Sequence, residues 1–197
     1  MPSTSTPYGL VPVKKLGMNR DNGGFTHYKI ASAYNTNLFK GDTVLLIAAS
    51  GTVQKDSGTT TATPIGVFMG CEYTDPNLNY KVRRDYWPAS TVATDAVAFV
   101  SDDPFQVYKI QGDGAGTIYG QESIGTNAAL VQGSGSTATG ISGASLDSSS
   151  VATTAALPLK IVNYDRRPDN LLTDTYVDFH VIFNTHQWRT ALGIAAV

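Results

Sequence analysis

Histidines and one carboxylate are the first residues in this chain that could do chemistry. The chain has three histidines, His27, His180 and His186. The spacing of Asp178, His180 and His186 places all three on one face if a single strand runs through them. Imidazole and carboxylate groups are zinc ligands, but a closed site needs further donors, and the sequence offers no obvious ones. We therefore predict a polar strand face with no bound metal.

Other carboxylates form no recognisable catalytic or calcium set. Asp95, Asp102 and Asp103 could coordinate calcium together with backbone carbonyls, but their spacing is not that of an EF-hand. Glu72 and Glu122 are the only glutamates, and each lies in a strand or loop that contains glycine. Nothing pairs them as an acid and a base. An acidic turn is the simpler interpretation of the aspartates.

Motifs for nucleotide binding and hydrolysis are absent from the sequence. The stretch Gly112-Asp-Gly-Ala-Gly116 follows a predicted strand, yet it lacks the third glycine of a dinucleotide fingerprint and no helical pattern follows it. We interpret it as a hairpin loop. The sequence thus predicts no catalytic residues, no cofactor and a protein that is not an enzyme.

The amino-acid composition limits the kinds of partner molecule that we expect. Only 15% of the 197 residues are charged, and the net charge is -2. The basic residues come as isolated pairs, which we expect to be solvated or paired with carboxylates, so we predict no nucleic-acid partner. Those pairs are Lys14-Lys15, Arg83-Arg84 and Arg166-Arg167.

The compartment is predicted from the cysteine and from apolar runs. A single cysteine, Cys71, allows no intramolecular disulfide. The first residues lack the basic and apolar parts of a signal peptide, and no window is apolar enough to span a membrane. We expect a protein made and used in a reducing cytosol without secretion, with no membrane partner.

Short segments with strand chemistry recur along the chain, and no long stretch shows a helical period. In residues 65–73, one set of alternating side chains faces another: the first set is Ile65, Val67, Met69, Cys71 and Tyr73, and the second is Gly66, Phe68, Gly70 and Glu72. In residues 176–183 the alternation is clearest, with Val177, Phe179, Val181 and Phe183 on one face. Asp147 can cap a short helix after it. The segments are 25–33, 42–49, 65–73, 93–100, 105–110, 157–164 and 176–183.

These segments divide the chain into four parts. Residues 1–24 are predicted to be an extended arm, 25–132 a β-rich core, 133–154 a loop rich in Ser, Thr and Gly, and 155–197 the strands that complete the domain. The fold class is therefore all-β.

The arm and the loop carry the predicted contact residues. We expect the arm to become ordered only against another protein, so that deleting residues 2–17 would leave the domain folded. Its contact residues are Tyr8, Leu10, Val11, Val13, Lys14, Lys15 and Leu16. The loop is interpreted either as a mobile linker or as a segment that contacts a neighbouring subunit through Ile141, Leu146 and Val151.

An aromatic cluster is the remaining candidate. Tyr80, Tyr86 and Trp87 lie close together with arginines, a composition enriched at protein interfaces and on carbohydrate-binding platforms. A cluster at the edge of the core is the equally simple alternative.

Three motifs in the first half resemble the head decoration (capsid cement) proteins of tailed bacteriophages. They are Phe39-Lys-Gly-Asp-Thr-Val44, Ser50-Gly-Thr-Val53 and Thr63-Pro-Ile-Gly-Val-Phe68. The resemblance covers about a third of the chain. It implies an antiparallel β-barrel or tulip-like domain, a homotrimer at capsid threefold positions, and an N-terminal arm lying on the shell.

The resemblance therefore predicts a virion structural protein on the capsid exterior, with the major capsid protein as its partner. Two other functions stay open from the sequence: another virion component, such as a tail, adaptor or fibre protein, and a carbohydrate-binding β-module.

Overall fold

Strands dominate the structure, as the alternating pattern predicts. The computed structural model describes residues 4–16, 24–115 and 119–189. Within them the strands are β1 (Val11–Lys15), β2 (Thr26–Ile30), β3 (Leu38–Phe39), β4 (Thr43–Ile47), β5 (Thr52–Lys55), β6 (Gly66–Thr74), β7 (Lys81–Arg84), β8 (Tyr86–Trp87), β9 (Val97–Ser101), β10 (Gln106–Gln111), β11 (Asn127–Ala128), β12 (Leu130–Val131), β13 (Ser145–Leu146), β14 (Leu159–Tyr164) and β15 (Asp178–Phe183). Short 3-10 helices span Gln121–Ser123, Ser148–Ser150 and Gln187–Arg189.

Five strands close into a barrel. Their order is β4-β5-β2-β9-β6, and β6 pairs again with β4 to complete the ring. All these pairs are antiparallel except β2 and β5, which run parallel. Strand β7 adds to the free side of β6. The predicted all-β barrel is confirmed, with one parallel pair that the sequence did not indicate.

A bulge in β6 changes which side chains enter the barrel. The register with β9 shifts between Phe68 and Gly70, where Gly70 has a φ of 137°, a value that favours glycine. Phe68 and Cys71 consequently both face the barrel core, whereas Val67 packs into the other core. We predicted that residues 65–73 alternate without interruption. That prediction is wrong because the bulge at Gly70 interrupts the alternation.

The second layer is a five-stranded sheet in the order β1-β10-β15-β14-β11. Val177, Phe179, Val181 and Phe183 are at most 1% exposed, and all four lie in the core between this sheet and the barrel. The face predicted for this segment is confirmed. The other face carries Asp178 and His180.

Residues 11–15 of the predicted arm form β1, an edge strand paired with β10 of the same chain. Alternation is hidden here because Pro12, a register shift and two lysines interrupt it, and these are features that edge strands use to avoid further pairing. The expectation that the arm needs another protein to become ordered is wrong for residues 4–16, and residues 1–3 and 17–23 of the predicted arm lie outside the described residues.

The Ser/Gly-rich loop also packs on its own domain. Leu146 lies in β13, which pairs with β12, and its side chain is fully buried in the core. The Ser142 backbone N–H donates to the Lys40 carbonyl (2.9 Å). Asp147 caps the 3-10 helix Ser148–Ser150 by accepting from the Ser149 N–H, so the predicted cap is confirmed on a shorter helix. No helix among the described residues is long and apolar enough to cross a membrane.

Candidate interaction surface

The side chains on the predicted polar face of β15 contact other parts of the fold. The Asp178 carboxylate accepts from the Tyr8 hydroxyl (2.8 Å) and from the Arg167 guanidinium. His180 is half-buried and lies opposite Lys109 of β10. His186 is fully buried beyond the end of the strand. No group of three His, Cys, Asp or Glu side chains suited to a metal occurs in the part of the chain that is described.

The acidic turn residues each bind a neighbour. Asp102 accepts from the hydroxyls of Thr26 (2.8 Å) and Tyr28 (2.7 Å). Asp103 forms an ion pair with Lys15 (2.8 Å). The Thr74 hydroxyl and backbone N–H donate to Asp95 and hold the pKa of that carboxyl below its usual range. These carboxylates stabilise turns and strand ends.

Asp113, in the predicted hairpin loop, also has a structural contact. Its carboxylate accepts from the Ser148 N–H (3.0 Å), which ties this loop to the Ser/Gly-rich segment. The loop follows β10 and contacts the first residue of the short 3-10 helix Ser148–Ser150.

Cys71 is not a reactive thiol. Its side chain is fully buried in the barrel core, and burial raises the pKa of the thiol to about 12. A thiol with so high a pKa is a poor nucleophile.

Most residues of the three basic dipeptides contact an acidic or an aromatic side chain of the same domain. Arg84 forms an ion pair with Asp75 (3.2 Å), and the Arg83 guanidinium lies over the Phe99 ring (4.6 Å to the centroid). Arg167 pairs with Asp165 (3.0 Å). Arg166 lies over the Tyr164 ring. The charges are therefore dispersed over the surface.

Buried and exposed parts of the arm have different roles. Leu10 is 0% exposed and packs in the core, so the prediction that it contacts a capsid is wrong. Tyr8 is half-buried, and burial together with the Asp178 carboxylate raises the pKa of its hydroxyl, which stays a donor. The remaining apolar residues Val11, Val13 and Leu16 are exposed, as is Lys14, and Lys15 is half-buried.

The exposed end of the arm adjoins Phe105, and Arg189, which follows Trp188 in the chain, reaches the same ring. The Leu16 N–H donates to the Phe105 carbonyl (2.8 Å). The Arg189 guanidinium lies 5.4 Å from the centroid of the Phe105 ring, and Trp188 precedes Arg189. Four large side chains here are 37% to 51% exposed. We name Val13, Leu16, Phe105 and Trp188 the aromatic patch.

Trp188 is held in place by the barrel. The Gln187 side chain accepts from the Leu46 N–H (2.9 Å) and donates to the Leu46 carbonyl (3.3 Å), so it pairs with β4 much as a strand residue would. The Gln187 backbone N–H donates to the Pro64 carbonyl (3.0 Å). The aromatic patch is therefore presented on a fixed backbone.

Sequence reasoning missed Phe105, Trp188 and Gln187. Phe105 begins the predicted strand segment 105–110, where nothing sets it apart from other strand residues, and Trp188 lies beyond the last predicted strand. The available signal was the Trp-Arg pair at 188–189, whose residue types are enriched at interfaces.

The predicted inter-subunit residues are not brought together. Tyr80 is 59% exposed and Ile141 is 42% exposed, whereas Tyr86 and Val151 are half-buried. Trp87 is 0% exposed, because its ring packs against Tyr73 and its indole N–H donates to the Tyr34 carbonyl (3.3 Å). Trp87 and Leu146 are therefore wrong as contact residues.

His186 gives the fold a pH dependence. Its Nδ1 accepts from the Trp188 N–H (3.1 Å), and burial lowers its pKa from 6.5 to about 4. The unfolded chain binds a proton at a higher pH than the folded one does. The contribution to stability is therefore complete above pH 6.5 and is lost as the pH falls towards 4.

We predict that His186→Asn reduces the loss of stability between about pH 7 and about pH 4 by roughly 2–3 kcal/mol. The Asn oxygen can replace Nδ1 as acceptor but does not titrate. Urea unfolding at the two pH values measures the effect, with exposed His27→Asn as the control. An unchanged pH dependence in His186→Asn would contradict the prediction.

Comparison of the chain with protein-family models, with curated proteins and with solved structures gives no match in any of the three. The function is therefore inferred from the geometry and from the motif resemblance.

Proposed function

We propose that this protein is a virion structural protein that binds the outside of a tailed-phage capsid and stabilises it by bridging major capsid subunits. The observation that carries the proposal is the aromatic patch, which combines exposed Trp and Phe side chains with a neighbouring Arg on a fixed backbone. Such residues dominate the binding energy of protein interfaces. The patch also includes Val13 and Leu16, two of the predicted capsid contacts.

The placement of the family-like motifs supports the same proposal. The first leads into β4, the second forms the β4–β5 hairpin, and the third enters β6. Because β4 pairs with both β5 and β6, the three motifs form one continuous part of the barrel wall.

Stabilisation of the shell would follow from mass action. A protein that binds only the assembled shell adds RT ln(1 + [L]/Kd), about 3–4 kcal/mol when its concentration is about 100–1,000 times Kd. The role needs no catalysis, cofactor, nucleic acid or membrane. The protein would be made in the host cytoplasm and act on the capsid exterior.

We further propose a homotrimer on the particle, since closed cyclic symmetry is the usual arrangement of identical subunits. Among the predicted inter-subunit residues, Tyr80 and Ile141 remain exposed and are the contacts that we retain. Tyr80 lies beside exposed Leu78 in the β6–β7 hairpin, whose turn is fixed by hydrogen bonds to Asp75.

Another virion component, such as a tail, adaptor or fibre protein, is the second candidate function. Quantitative mass spectrometry of purified particles separates the two. A protein that occupies symmetry-related positions over the whole capsid is expected in copies on the order of hundreds per particle. A copy number typical of a single vertex or tail would favour the second candidate. A carbohydrate-binding function would need a platform other than the Tyr80–Trp87 cluster, because Trp87 is buried.

We predict that Phe105→Ala combined with Trp188→Ala weakens binding to purified shells at least about 30-fold, which equals about 2 kcal/mol, the contribution of a single interface hot spot. Sedimentation of the protein with shells measures the bound fraction. The control is Val92→Ala with Leu171→Ala, which removes exposed apolar side chains outside the patch and outside the Tyr80 hairpin.

Thermal unfolding of both double variants must first show that they are folded. If the patch variant then binds shells as tightly as the control variant does, the patch is not the shell-binding surface.

A further inference from the structure

A buried histidine holds the short segment that presents Trp188 in the aromatic patch. His186 is 0% exposed, and its Nδ1 accepts from the Trp188 backbone N–H (3.1 Å). Its Nε2 is also buried, and its ring centroid lies 6.1 Å from that of Phe183. Nδ1 can accept a hydrogen bond only while the imidazole is neutral, because both ring nitrogens of the charged form are donors. The position of Trp188 therefore depends on the protonation state of His186. We name residues 186–189 the tryptophan turn.

The anions that face His186 are already engaged. Asp102 and Asp103 approach it from the turn between β9 and β10, and Arg189 lies in the 3-10 helix that follows it. Asp102 accepts hydrogen bonds from two hydroxyl groups, and Asp103 forms an ion pair with Lys15 (2.8 Å). Arg189 is a cation and disfavours a second positive charge. A proton on Nδ1 would therefore place a buried cation against the backbone N–H that now donates to this nitrogen.

The tryptophan turn can leave the domain without breaking a strand. It begins after β15 has ended at Phe183, and Trp188 is already 51% exposed, so release uncovers little more of that side chain. Gln187 attaches the turn by hydrogen bonds to Leu46 and Pro64. Segments with few buried contacts open at a lower free energy than the whole domain.

The other half of the aromatic patch is fixed by different contacts. The Phe105 N–H donates to Asp103 (2.8 Å), and the Leu16 N–H donates to the Phe105 carbonyl (2.8 Å). Although burial opposes them, the hydrogen bonds from Lys15 and from the Phe105 N–H hold the pKa of the Asp103 carboxyl below its usual range. The Tyr28 hydroxyl beside the tryptophan turn also stays protonated, because burial raises its pKa. These contacts are therefore kept in mild acid.

We propose that His186 is an acid-sensitive switch in the aromatic patch: its protonation releases the tryptophan turn and moves Trp188, whereas Phe105 and Leu16 keep their positions. The consequence for binding rests on the proposed function, since a partner held by the whole patch is bound less tightly as the closed fraction falls. The switch itself is a property of the single chain and is measured without shells.

Amide hydrogen exchange of the full chain, followed by NMR at about pH 7 and about pH 5, tests the switch. Carboxylates of ordinary pKa stay ionised over this range. The pKa of His186 is 6.5 in the exposed state and about 4 in the folded protein, so linkage raises the opening constant of a segment that exposes it roughly 20-fold. We expect that increase at the Trp188 N–H, after correction for the intrinsic exchange rate, and less than about a threefold change at the Leu16 N–H.

Two further measurements separate local from global opening and identify the group that titrates. About 1 M urea should leave exchange at Trp188 unchanged but accelerate exchange at Val181, in the central strand of the five-stranded sheet. His186→Asn keeps an acceptor and does not titrate, so exchange at Trp188 should lose its pH dependence, whereas exposed His27→Asn should retain it. If His186→Asn is unfolded, the comparison of Trp188 with Leu16 in the unmodified chain still decides.

Any one of three results would overturn the proposal. They are a change of less than about threefold at Trp188, an equal change at Leu16, and the same urea dependence at Trp188 as at Val181. The last result would mean that the tryptophan turn opens only when the whole domain unfolds. Failure of the proposed function would appear in the patch variants instead and would leave these exchange results unchanged.

Discussion

Leu10→Ala is expected to lower the free energy of unfolding by about 2–5 kcal/mol, the usual cost of truncating a fully buried leucine. Leu10 is 0% exposed and shares a core with Tyr108, Ile110 and Val181. Urea unfolding followed by circular dichroism measures the change.

Main-chain contacts around Leu10 explain why the site cannot easily collapse. The Leu10 N–H donates to the Gly41 carbonyl (2.9 Å), and the Gly9 N–H donates to the Ala144 carbonyl (3.1 Å). A Cβ on Gly9 would lie 2.5 Å from the Gly41 oxygen and 2.7 Å from the Ser142 Cβ. The arm is thus held between the Gly41 turn and the Ser/Gly-rich loop.

Val13→Ala is the matched control for Leu10→Ala. Val13 is in the same segment but is 45% exposed, so its truncation should cost less than about 0.5 kcal/mol. Equal effects of the two substitutions would mean that the arm is not docked on its own domain in solution.

The sequence was sufficient to predict the strands that obey a period of two. Each of the seven predicted segments overlaps a strand, and the buried face of β15 is the predicted one. β1 escaped prediction because an edge strand needs pairing on only one side and therefore tolerates Pro12 and adjacent lysines. The bulge at Gly70 was missed because a local change of register leaves no periodic signal.

The candidate surface was harder to predict than the fold. Val13 and Leu16 were identified because they are apolar residues in a segment without a core of its own. Phe105 and Trp188 join them only through the pairing of β1 with β10 and the contact of Gln187 with β4. Such contacts between distant segments depend on tertiary structure, and a single sequence does not reveal them.

Asp42 shows how a motif residue acquires its role from the fold. Its carboxylate is 0% exposed and accepts from the Phe39 N–H (2.9 Å), the Lys55 ammonium (3.0 Å) and the Ser142 hydroxyl. One side chain thus joins the turn before β4, strand β5 and the Ser/Gly-rich loop. In the sequence it appears only as the Asp of a Gly-Asp-x-Val turn.

We predict that Asp42→Ala lowers the free energy of unfolding by roughly 3–5 kcal/mol, because it leaves the Lys55 ammonium without its ion-pair partner in a largely buried position. The Lys55 side chain is 16% exposed, so some hydration places the expected value near the lower end of that range. Chemical denaturation at neutral pH measures the change.

Asp85→Ala is the matched control for Asp42→Ala, because Asp85 and Lys40 form an exposed pair that should contribute less than about 1 kcal/mol. A double-mutant cycle with Lys55→Met then isolates the ion pair. If the pair is the main contribution, Asp42→Ala should cost much less in the Lys55→Met background, because no buried ammonium is left unpaired. If the cost is the same in both backgrounds, the role of Asp42 lies in the Phe39 turn and the Ser142 hydroxyl, and the ion pair with Lys55 contributes nothing measurable.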